Sequence, residues 1–423
     1  MFKLRFALGF LALTTVTNAL HAQNQTDTLT LKFQEAEKRF LLNNFTLIAQ
    51  RYNVDATKAL IQQAKLWDNP ALSTDQNLYS KGAGFFNHSD GNGQFFAQIN
   101  QLFKTAGKRG KQIRLAQDDV NVQQAQFNDL LRNLHYNMEV DFAQLDNLLQ
   151  QNKIYQYEIN SSRNLVKAIS AAYGVGNSSL RDVVRLQALA FGLENDMVEN
   201  NRQVNELEND LKTLLVVKET TFIKPDISTP TTNATLNITA LIDTAKANRG
   251  DYQASKFLVE QAGHNLSYQK ALAIPDLTIG VDYDRASNYV PNYYGLAISL
   301  PLPFINRNQG NIKSAKFAIQ NQEFVLKNSD LKVKNDVVTA VEQYNLSLQL
   351  FSKNNIDFYG TYDKLFASVV KAYKERQLGL VEFIDFFESY KDTKLKVIQQ
   401  QYNLEKAIAD VNYNVGSTVI VPQ

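Results

Sequence analysis

The chain has 423 residues, with 44 lysines and arginines against 42 aspartates and glutamates, and it contains no cysteine. The absence of cysteine excludes disulfides, thiolate chemistry and a lipid anchor on an N-terminal cysteine. Lys3 and Arg5 are the only charged residues among the first 22, so removal of that segment leaves 42 basic residues (44 − 2 = 42) against 42 acidic ones. A balanced charge gives no bulk electrostatic reason to bind nucleic acid.

Residues 1–22 predict a cleaved secretory signal peptide. After the basic start comes an apolar run, 6–13, that is too short to cross a bilayer, and small residues such as Ala19 and Ala22 offer cleavage points. No later segment has about 18 consecutive apolar residues, so we expect no transmembrane helix in the mature chain.

Two long segments without helix breakers predict unusually long helices. Residues 111–173 contain neither Gly nor Pro, and 311–373 contains only Gly360. Sixty helical residues would reach roughly 90 Å. Apolar residues step by threes and fours, as at Leu186, Leu193 and Leu211. This spacing favours antiparallel coiled-coil helices packed side by side, although an ordinary helical bundle has the same periodicity.

Two segments of alternating residues predict β-hairpins, at 71–103 and, with a clearer pattern, at 276–302. In the second hairpin we expect one apolar face to contact lipid, because the strands have the length and alternation of tilted transmembrane strands. The alternative is a soluble hairpin lying on a core. The expected lipid-facing side chains are Leu277, Ile279, Val281, Tyr283, Leu296, Ile298 and Leu300.

The order of predicted elements occurs twice. The first repeat, 23–217, has a helix, the hairpin, a long helix, a turn at 174–179 and a return helix. A linker at 218–237 leads to the second repeat, 238–423, whose turn lies at 374–379. We call these two turns the first and second tips. They are alike in sequence, since Tyr173 recurs as Tyr373 and Asp182 as Glu382.

Four strands cannot close a barrel, and an open sheet edge cannot face lipid. Several chains must therefore pool their strands if the hairpins span a membrane. Two chains would supply eight strands and three would supply twelve, and a lumen continuous with a helical tube favours three.

Together these features resemble the TolC-type outer-membrane factors, from about residue 28 to the C-terminus. The resemblance rests on the repeat, on LTLKFQEAEKRFLLNN and GKRGKQIRLA, and on the paired tips. It implies a mainly α fold with a membrane β part, in which a homotrimer forms a twelve-stranded β-barrel in the outer membrane and an α-barrel in the periplasm. It further implies a passive exit duct of a tripartite efflux system, with a periplasmic adaptor and an inner-membrane pump as partners. LGLVEFIDFFESY and GKRGKQIR resemble the heavy-metal-efflux branch, whose pump is proton-driven.

The resemblance also implies sites at the tips. Glu382 and Asp385 match two acidic residues that ring the narrowest part of the lumen in the family, and solvated carboxylates at a helix start are the alternative. Asp182 and Arg185 take the corresponding face of the first tip, where we expect them to pair, or Arg185 to reach a carboxylate on a neighbouring hairpin. The expected adaptor-contacting positions are Tyr173, Gly176, Leu180, Tyr373, Gly379 and Leu380. The family usually has glycine three residues after the tip tyrosine, which Gly176 satisfies, whereas the second copy has Arg376.

Basic residues follow each predicted hairpin, and we expect them to contact lipid phosphates or to be solvated at a helix start. In the first copy they are Lys104, Lys108, Arg109, Lys111 and Arg114.

The sequence indicates no enzyme. The four histidines at 21, 88, 135 and 264 have no ligand spacing, and no nucleophile elbow or nucleotide-binding loop is present. We therefore predict no catalytic residue, cofactor or metal site. The remaining alternative function is a soluble periplasmic coiled-coil adaptor or scaffold, which would need Gly-rich β halves around a single helical hairpin.

Overall fold

A computed structural model describes residues 27–82, 84–87, 93–227, 236–286, 290–353 and 356–421. The predicted signal peptide, residues 1–22, and residues 228–235 of the predicted linker lie outside these residues.

The first half of the chain contains the longest helix of the described residues, α3. In chain order its elements are β1 (Thr28–Lys32), α1 (Phe33–Asn43), α2 (Phe45–Lys65), β2 (Ala71–Gln76), β3 (Tyr79–Ser80), β4 (Gly84–Phe85), β5 (Phe95–Phe103), α3 (Lys108–Gly174), α4 (Leu180–Leu215) and β6 (Phe222–Asp226). The 67 residues of α3 correspond to a length of about 100 Å.

The second half repeats this order with one interruption. Its elements are α5 (Ile238–Asn248), α6 (Gly250–Leu272), β7 (Leu277–Asp284), β8 (Tyr293–Ser299), α7 (Gln309–Ser352), α8 (Ile356–Lys374) and α9 (Leu380–Val415). The continuous helix predicted over 311–373 is therefore two helices. The first ends in a tightened turn, because the amide of Lys353 bonds to the carbonyl of Leu350 and the Ser352 hydroxyl to that of Gln349.

The helices pack around α3, which contacts α2, α4, α6 and α9. Three apolar clusters hold them together. One joins α1, α3 and the end of α4 around Phe40 and Phe142, and its counterpart joins α5, α7 and the end of α9 around Val337 and Ile408. The third lies towards the tips and is rich in aromatic side chains such as Phe383. The predicted 3–4 spacing of α4 faces these cores.

The repeat is also visible in a pair of buried polar residues. Asn44, between α1 and α2, donates from Nδ2 to the carbonyl of Leu214 at 3.0 Å. Arg249, between α5 and α6, donates from its guanidinium to the carbonyl of Asn414 at 3.4 Å, which is 200 positions further along (414 − 214 = 200). Arg249 also pairs with Asp336 at 3.0 Å. Each short-helix pair is thus tied to the end of its own return helix.

The strands form one four-stranded antiparallel sheet in the order β2-β5-β7-β8, in addition to two small two-stranded sheets. Its centre is the β5–β7 pair, which joins the hairpins of the two repeats. β1 and β6 form a parallel pair, so the start of the segment predicted as a linker is a strand at Phe222–Asp226. Among the described residues, no helix is both long and apolar enough to cross a membrane.

Candidate functional site: the helical tips and the apolar sheet face

The two tips have the same backbone turn. At the first, the amides of Gly176 and Asn177 bond to the carbonyls of Tyr173 and Ala172 at 2.9 and 2.7 Å. At the second, the amides of Arg376 and Gln377 bond to the carbonyls of Tyr373 and Ala372 at 3.1 and 2.9 Å. Both are helix-ending turns that place one residue in the left-handed region, Gly176 at φ 75° and Arg376 at φ 61°. The second tip therefore keeps the turn although arginine replaces glycine, at a cost of about 1–2 kcal/mol.

The tips differ in how the return helix begins. The Ser179 hydroxyl accepts a hydrogen bond from the amide of Asp182 at 3.2 Å and so caps α4. Gly379 holds the same position before α9 and has no side chain to supply this bond. Its backbone, at φ −75° and ψ 152°, suits any residue, and a Cβ there would meet nothing within 4 Å.

Gly379→Ser is expected to stabilise the second tip. The new hydroxyl would cap α9 as Ser179 caps α4, and loss of glycine would reduce the freedom of the unfolded chain, together worth about 0.5–1 kcal/mol. The reciprocal change Ser179→Gly should lower stability by a similar amount, because it removes the cap and increases the freedom of the unfolded chain. Amide hydrogen exchange in the first turn of α9 would show the effect. Unchanged or faster exchange in Gly379→Ser would contradict it.

The structure brings the four predicted gate residues together. Asp182 and Arg185 from the first tip, and Glu382 and Asp385 from the second, line one open cavity of about 780 Å³ between the tips. The sequence placed each pair on one helix face, and the cavity shows that the two faces meet within a single protomer.

Most of these charges have no partner within the protomer. The predicted Asp182–Arg185 pair is absent, and Arg181 Nε lies 3.8 Å from Asp182 Oδ1 instead. Over the described ranges, Arg185, Glu382 and Asp385 form no ion pair or side-chain hydrogen bond. Their charges are therefore available to groups outside the protomer.

The two tip tyrosines are in different environments. Tyr173 is 45% exposed, whereas Tyr373 is 6% exposed and stacks on Phe383 with ring centroids 4.4 Å apart. Burial, together with the charge of Asp182, raises the pKa of Tyr373 to about 12. Of the predicted adaptor-contacting positions, Tyr173 and Leu180 are thus exposed in the protomer and the ring of Tyr373 is not.

The register of the sheet gathers apolar side chains on one face. Val281 is paired with Ile99 on one side and with Leu296 on the other, and Ile279 is paired with Ile298. Val281, Leu296 and Ile298 are each at least 60% exposed. Directly opposite pairs share a face, so these residues form a continuous apolar surface. The neighbouring positions on the other face are polar or small, among them Gln98, Asp282 and Gly295.

The other predicted lipid-facing residues fit this face less uniformly. Leu277, Ile279 and Tyr283 are half-buried, and Leu300 lies beyond the end of β8 but remains exposed. The strand predicted to continue to Leu302 ends at Ser299, before Pro301 and Pro303, which cannot donate ladder hydrogen bonds.

Two of the basic residues after the first hairpin, Lys108 and Arg109, make contacts within the protomer where the sheet meets the helices. Lys108 is 4% exposed, and its ammonium donates to the carbonyl of Ile274 at 2.6 Å and to Asp276 at 2.7 Å. The prediction that Lys108 contacts lipid or solvent is therefore wrong. Arg109 lies over the ring of Trp67, with 4.4 Å from its Cζ to the ring centroid. Because Lys108 and Asp276 belong to different repeats of the same chain, their ion pair connects the two repeats at the base of the sheet.

Comparison with known proteins shows what this arrangement is. Residues 37–216 match the family model described as "Outer membrane efflux protein". Over these residues, which make up less than half of the chain, the protein is similar to that family. No curated protein matches the chain in sequence. The resemblance to outer-membrane efflux proteins recognised from the sequence is thereby confirmed.

Solved structures of outer-membrane channels share the fold over nearly the whole chain. The outer-membrane channel OprN has a TM-score of 0.75 at 11% identity, covering 91% of this chain and 90% of its own. CusC, solved in a study of folding and transmembrane channel formation, has 0.74 at 14%, covering 93% and 94%. The CmeC outer-membrane channel of Campylobacter jejuni has 0.73 at 12%, covering 91% and 86%. At these identities the likeness establishes the fold.

Proposed function

We propose that the chain is the outer-membrane exit duct of a tripartite efflux system. Three copies would conduct substrates passively from an inner-membrane pump and a periplasmic adaptor across the periplasm and the outer membrane. The alternative, a soluble periplasmic adaptor or scaffold, has no support from a family of outer-membrane efflux proteins.

The observation that carries this proposal is a sheet with an apolar face and two free edges. Over the described residues, β2 and β8 each pair with one strand only, so both outer edges of the sheet expose backbone N–H and C=O groups. In lipid each unsatisfied group would cost several kcal/mol, which requires the edges to pair with strands of other copies. Three copies of four strands give a closed twelve-stranded barrel, and the apolar face then contacts lipid.

The helices would continue this barrel into the periplasm. Outward-facing apolar side chains on the flanking helices would supply the contacts that a ring of copies needs, since the described part of the protomer leaves them largely exposed. On α2 and α7 they include Phe45, Tyr52, Leu60, Phe317, Phe324 and Leu331, each at least 57% exposed.

The tips would form the closed end of the duct. Each protomer contributes Glu382 and Asp385, so three copies would place six carboxylates around the axis (2 × 3 = 6). Like charges at close range attract cations and repel anions, and divalent cations bridge such groups. Arg185, which forms no ion pair among the described residues, would pair with a carboxylate of the neighbouring copy.

The tips are also where an adaptor would dock, because Tyr173 and Leu180 leave exposed apolar surface at the end of the helices. The pump and the adaptor would select the substrate. The resemblance of LGLVEFIDFFESY to the heavy-metal-efflux branch supports a proton-driven pump for metal ions as partner.

Single-channel conductance in a planar bilayer tests the duct and the gate together. We expect the purified mature protein to show a small cation-selective conductance that divalent ions block. Glu382→Gln with Asp385→Asn should enlarge it several-fold and reduce its selectivity, because the carboxylates that bind cations are gone.

Glu323→Gln with Glu342→Gln is the matched control, since it removes two exposed carboxylates of α7 that do not line the cavity between the tips. It should behave as the unmodified protein does. If neither double variant alters the conductance, the protein is still a duct, but Glu382 and Asp385 do not form its gate. Oligomers that never conduct would contradict the duct itself.

A further inference from the structure

Glu158, on α3, has a carboxyl group without a partner in the protein interior. It is 0% exposed, and neither of its oxygens has a hydrogen-bond partner among the described residues. The two other carboxylates that are buried within the described ranges are paired, Asp118 with His264 and Glu208 with Lys212, both at 2.7 Å. Its burial is complete within one protomer, so no assembly of copies changes it.

The surroundings of Glu158 disfavour a charge. It lies on the buried face of α3 between Tyr155 and Ser162, in the cluster that packs α3 against the helices of the tips. Tyr390, on α9, stacks on Phe366 there with ring centroids 3.9 Å apart. Burial in this cluster raises the pKa of Glu158 to about 8, although Lys391 acts to lower it.

The groups that could neutralise Glu158 are engaged elsewhere. Lys391 Nζ, on α9, lies 3.6 Å from Asp196 on α4 and 3.7 Å from Asp392. The Tyr390 hydroxyl donates to Asp363 on α8 at 2.8 Å. The titratable and charged groups that surround this part of the cluster include Tyr155, Tyr157, Asp196, Tyr362, Asp363, Tyr390, Lys391, Asp392 and Lys394.

The ion pair of Lys391 with Asp196 spans two return helices. α4 and α9 line an open groove of about 480 Å³, with Asp196 and Lys391 on its opposite walls. Arg185 and Val381 line both this groove and the cavity between the tips. A change in the partner of Lys391 therefore acts on the packing of the two tips.

We propose that Glu158 is a proton-binding site for which Lys391 is the exchangeable partner. With the proton bound, Glu158 is neutral, and Lys391 remains on Asp196 and ties α9 to α4. When the carboxyl releases its proton to solvent, the buried anion draws the Lys391 ammonium away from Asp196. The α4–α9 tie is lost, and the second tip separates from the first.

The raised pKa of Glu158 determines how its protonation changes the stability of the fold with pH. The pKa of Glu158 in the folded protein, about 8, lies above its ordinary value of 4.5, so the folded state keeps a proton that the unfolded chain loses. The contribution of Glu158 to the free energy of unfolding is therefore fully present below pH 4.5 and is lost as the pH rises towards about 8. Glu158→Gln, which is neutral at every pH, removes this contribution to the pH dependence of stability.

Infrared difference spectra and spin-label distances test the proposal on the full mature protein in lipid nanodiscs. The carboxylic acid band that is present in the unmodified protein and absent from Glu158→Gln should disappear with a midpoint near pH 8. Because the chain has no cysteine, Gln187→Cys on α4 and Lys396→Cys on α9 can be labelled without background. The distance between these labels should lengthen over the same pH range.

Three variants in the labelled background distinguish the outcomes. Glu158→Gln and Lys391→Gln should each abolish the pH-dependent change in distance, whereas Glu208→Gln, at a buried but paired carboxylate, should retain it. If no titrating carboxylic acid band is assigned to Glu158, the proposal that Glu158 binds a proton is contradicted. A band that titrates while the distances stay constant, or a distance change that survives Lys391→Gln, would overturn the exchange of partners.

Discussion

Leu296→Lys is expected to prevent assembly of the protein in the outer membrane. Leu296 is 67% exposed at the centre of β8 and shares its row of the apolar face with Val281 and Ile99. An ammonium group there must enter the hydrocarbon, at a cost of about 2–4 kcal/mol for a residue near the bilayer midplane. The yield of folded trimer in membranes, and the denaturant midpoint in vesicles, would both fall.

Gln98→Lys is the matched control, because Gln98 lies one position from the same row but on the opposite face, paired with Asp282. A lysine there would face the polar side of the sheet, and assembly should be close to normal. Equal tolerance of both lysines would show that neither face contacts lipid. Selective loss with Gln98→Lys would show that the orientation of the sheet is reversed.

Gly250→Ala is expected to destabilise the joint between the repeats. A Cβ at Gly250 would lie 2.4 Å from the carbonyl oxygen of Ala125 and 2.5 Å from the amide nitrogen of Asp129, both on α3. These are backbone atoms of a long helix, so α6 itself must move. Overpacking of this kind costs about 1–3 kcal/mol. The shift in the thermal or denaturant midpoint of the purified protein measures it.

Gly263→Ala, in the same helix, is the matched control. A Cβ at Gly263 meets nothing within 4 Å, so alanine should gain up to about 1 kcal/mol from its higher helix propensity. The two identical substitutions in α6 should therefore change stability in opposite directions. A destabilising Gly263→Ala, or a neutral Gly250→Ala, would contradict the close crossing of α6 and α3.

The helices and strands of the fold could be predicted because the sequence patterns that indicate them are local. The breaker-free stretch 111–173 is almost the whole of α3, and the alternation in 71–103 and 276–302 marks the strands of both hairpins. The tip turns could also be predicted, since the same short pattern occurs twice. Each of these patterns is set by a few neighbouring residues and by the helical or strand period.

The pairing of distant segments could not be predicted in this way. β5 with β7, and β1 with β6, are joined by hydrogen bonds between segments more than 170 residues apart, and such bonds leave no periodic signal. The same limit explains Lys108, whose burial depends on Asp276 in the other repeat. At the second tip, the sequence gives no sign that Tyr373 is stacked beneath Phe383 while Tyr173 is exposed.

Glu158 was missed although a signal existed. Tyr155, Glu158, Ser162 and Leu165 follow the three-and-four spacing of a buried helix face, and all four are buried. An acidic residue at a core position of a coiled coil indicates a candidate site, because a buried carboxylate must either be paired with a cation or be protonated.

The difference between the two tips has a consequence for symmetry. In a ring of three copies the tips alternate, one type with a glycine turn and an exposed tyrosine, the other with an arginine turn and a buried one. Six outwardly similar hairpins then have threefold and not sixfold symmetry. A partner that forms a ring of six identical subunits would meet two chemically distinct environments in alternation, and must bind them with two conformations or two affinities.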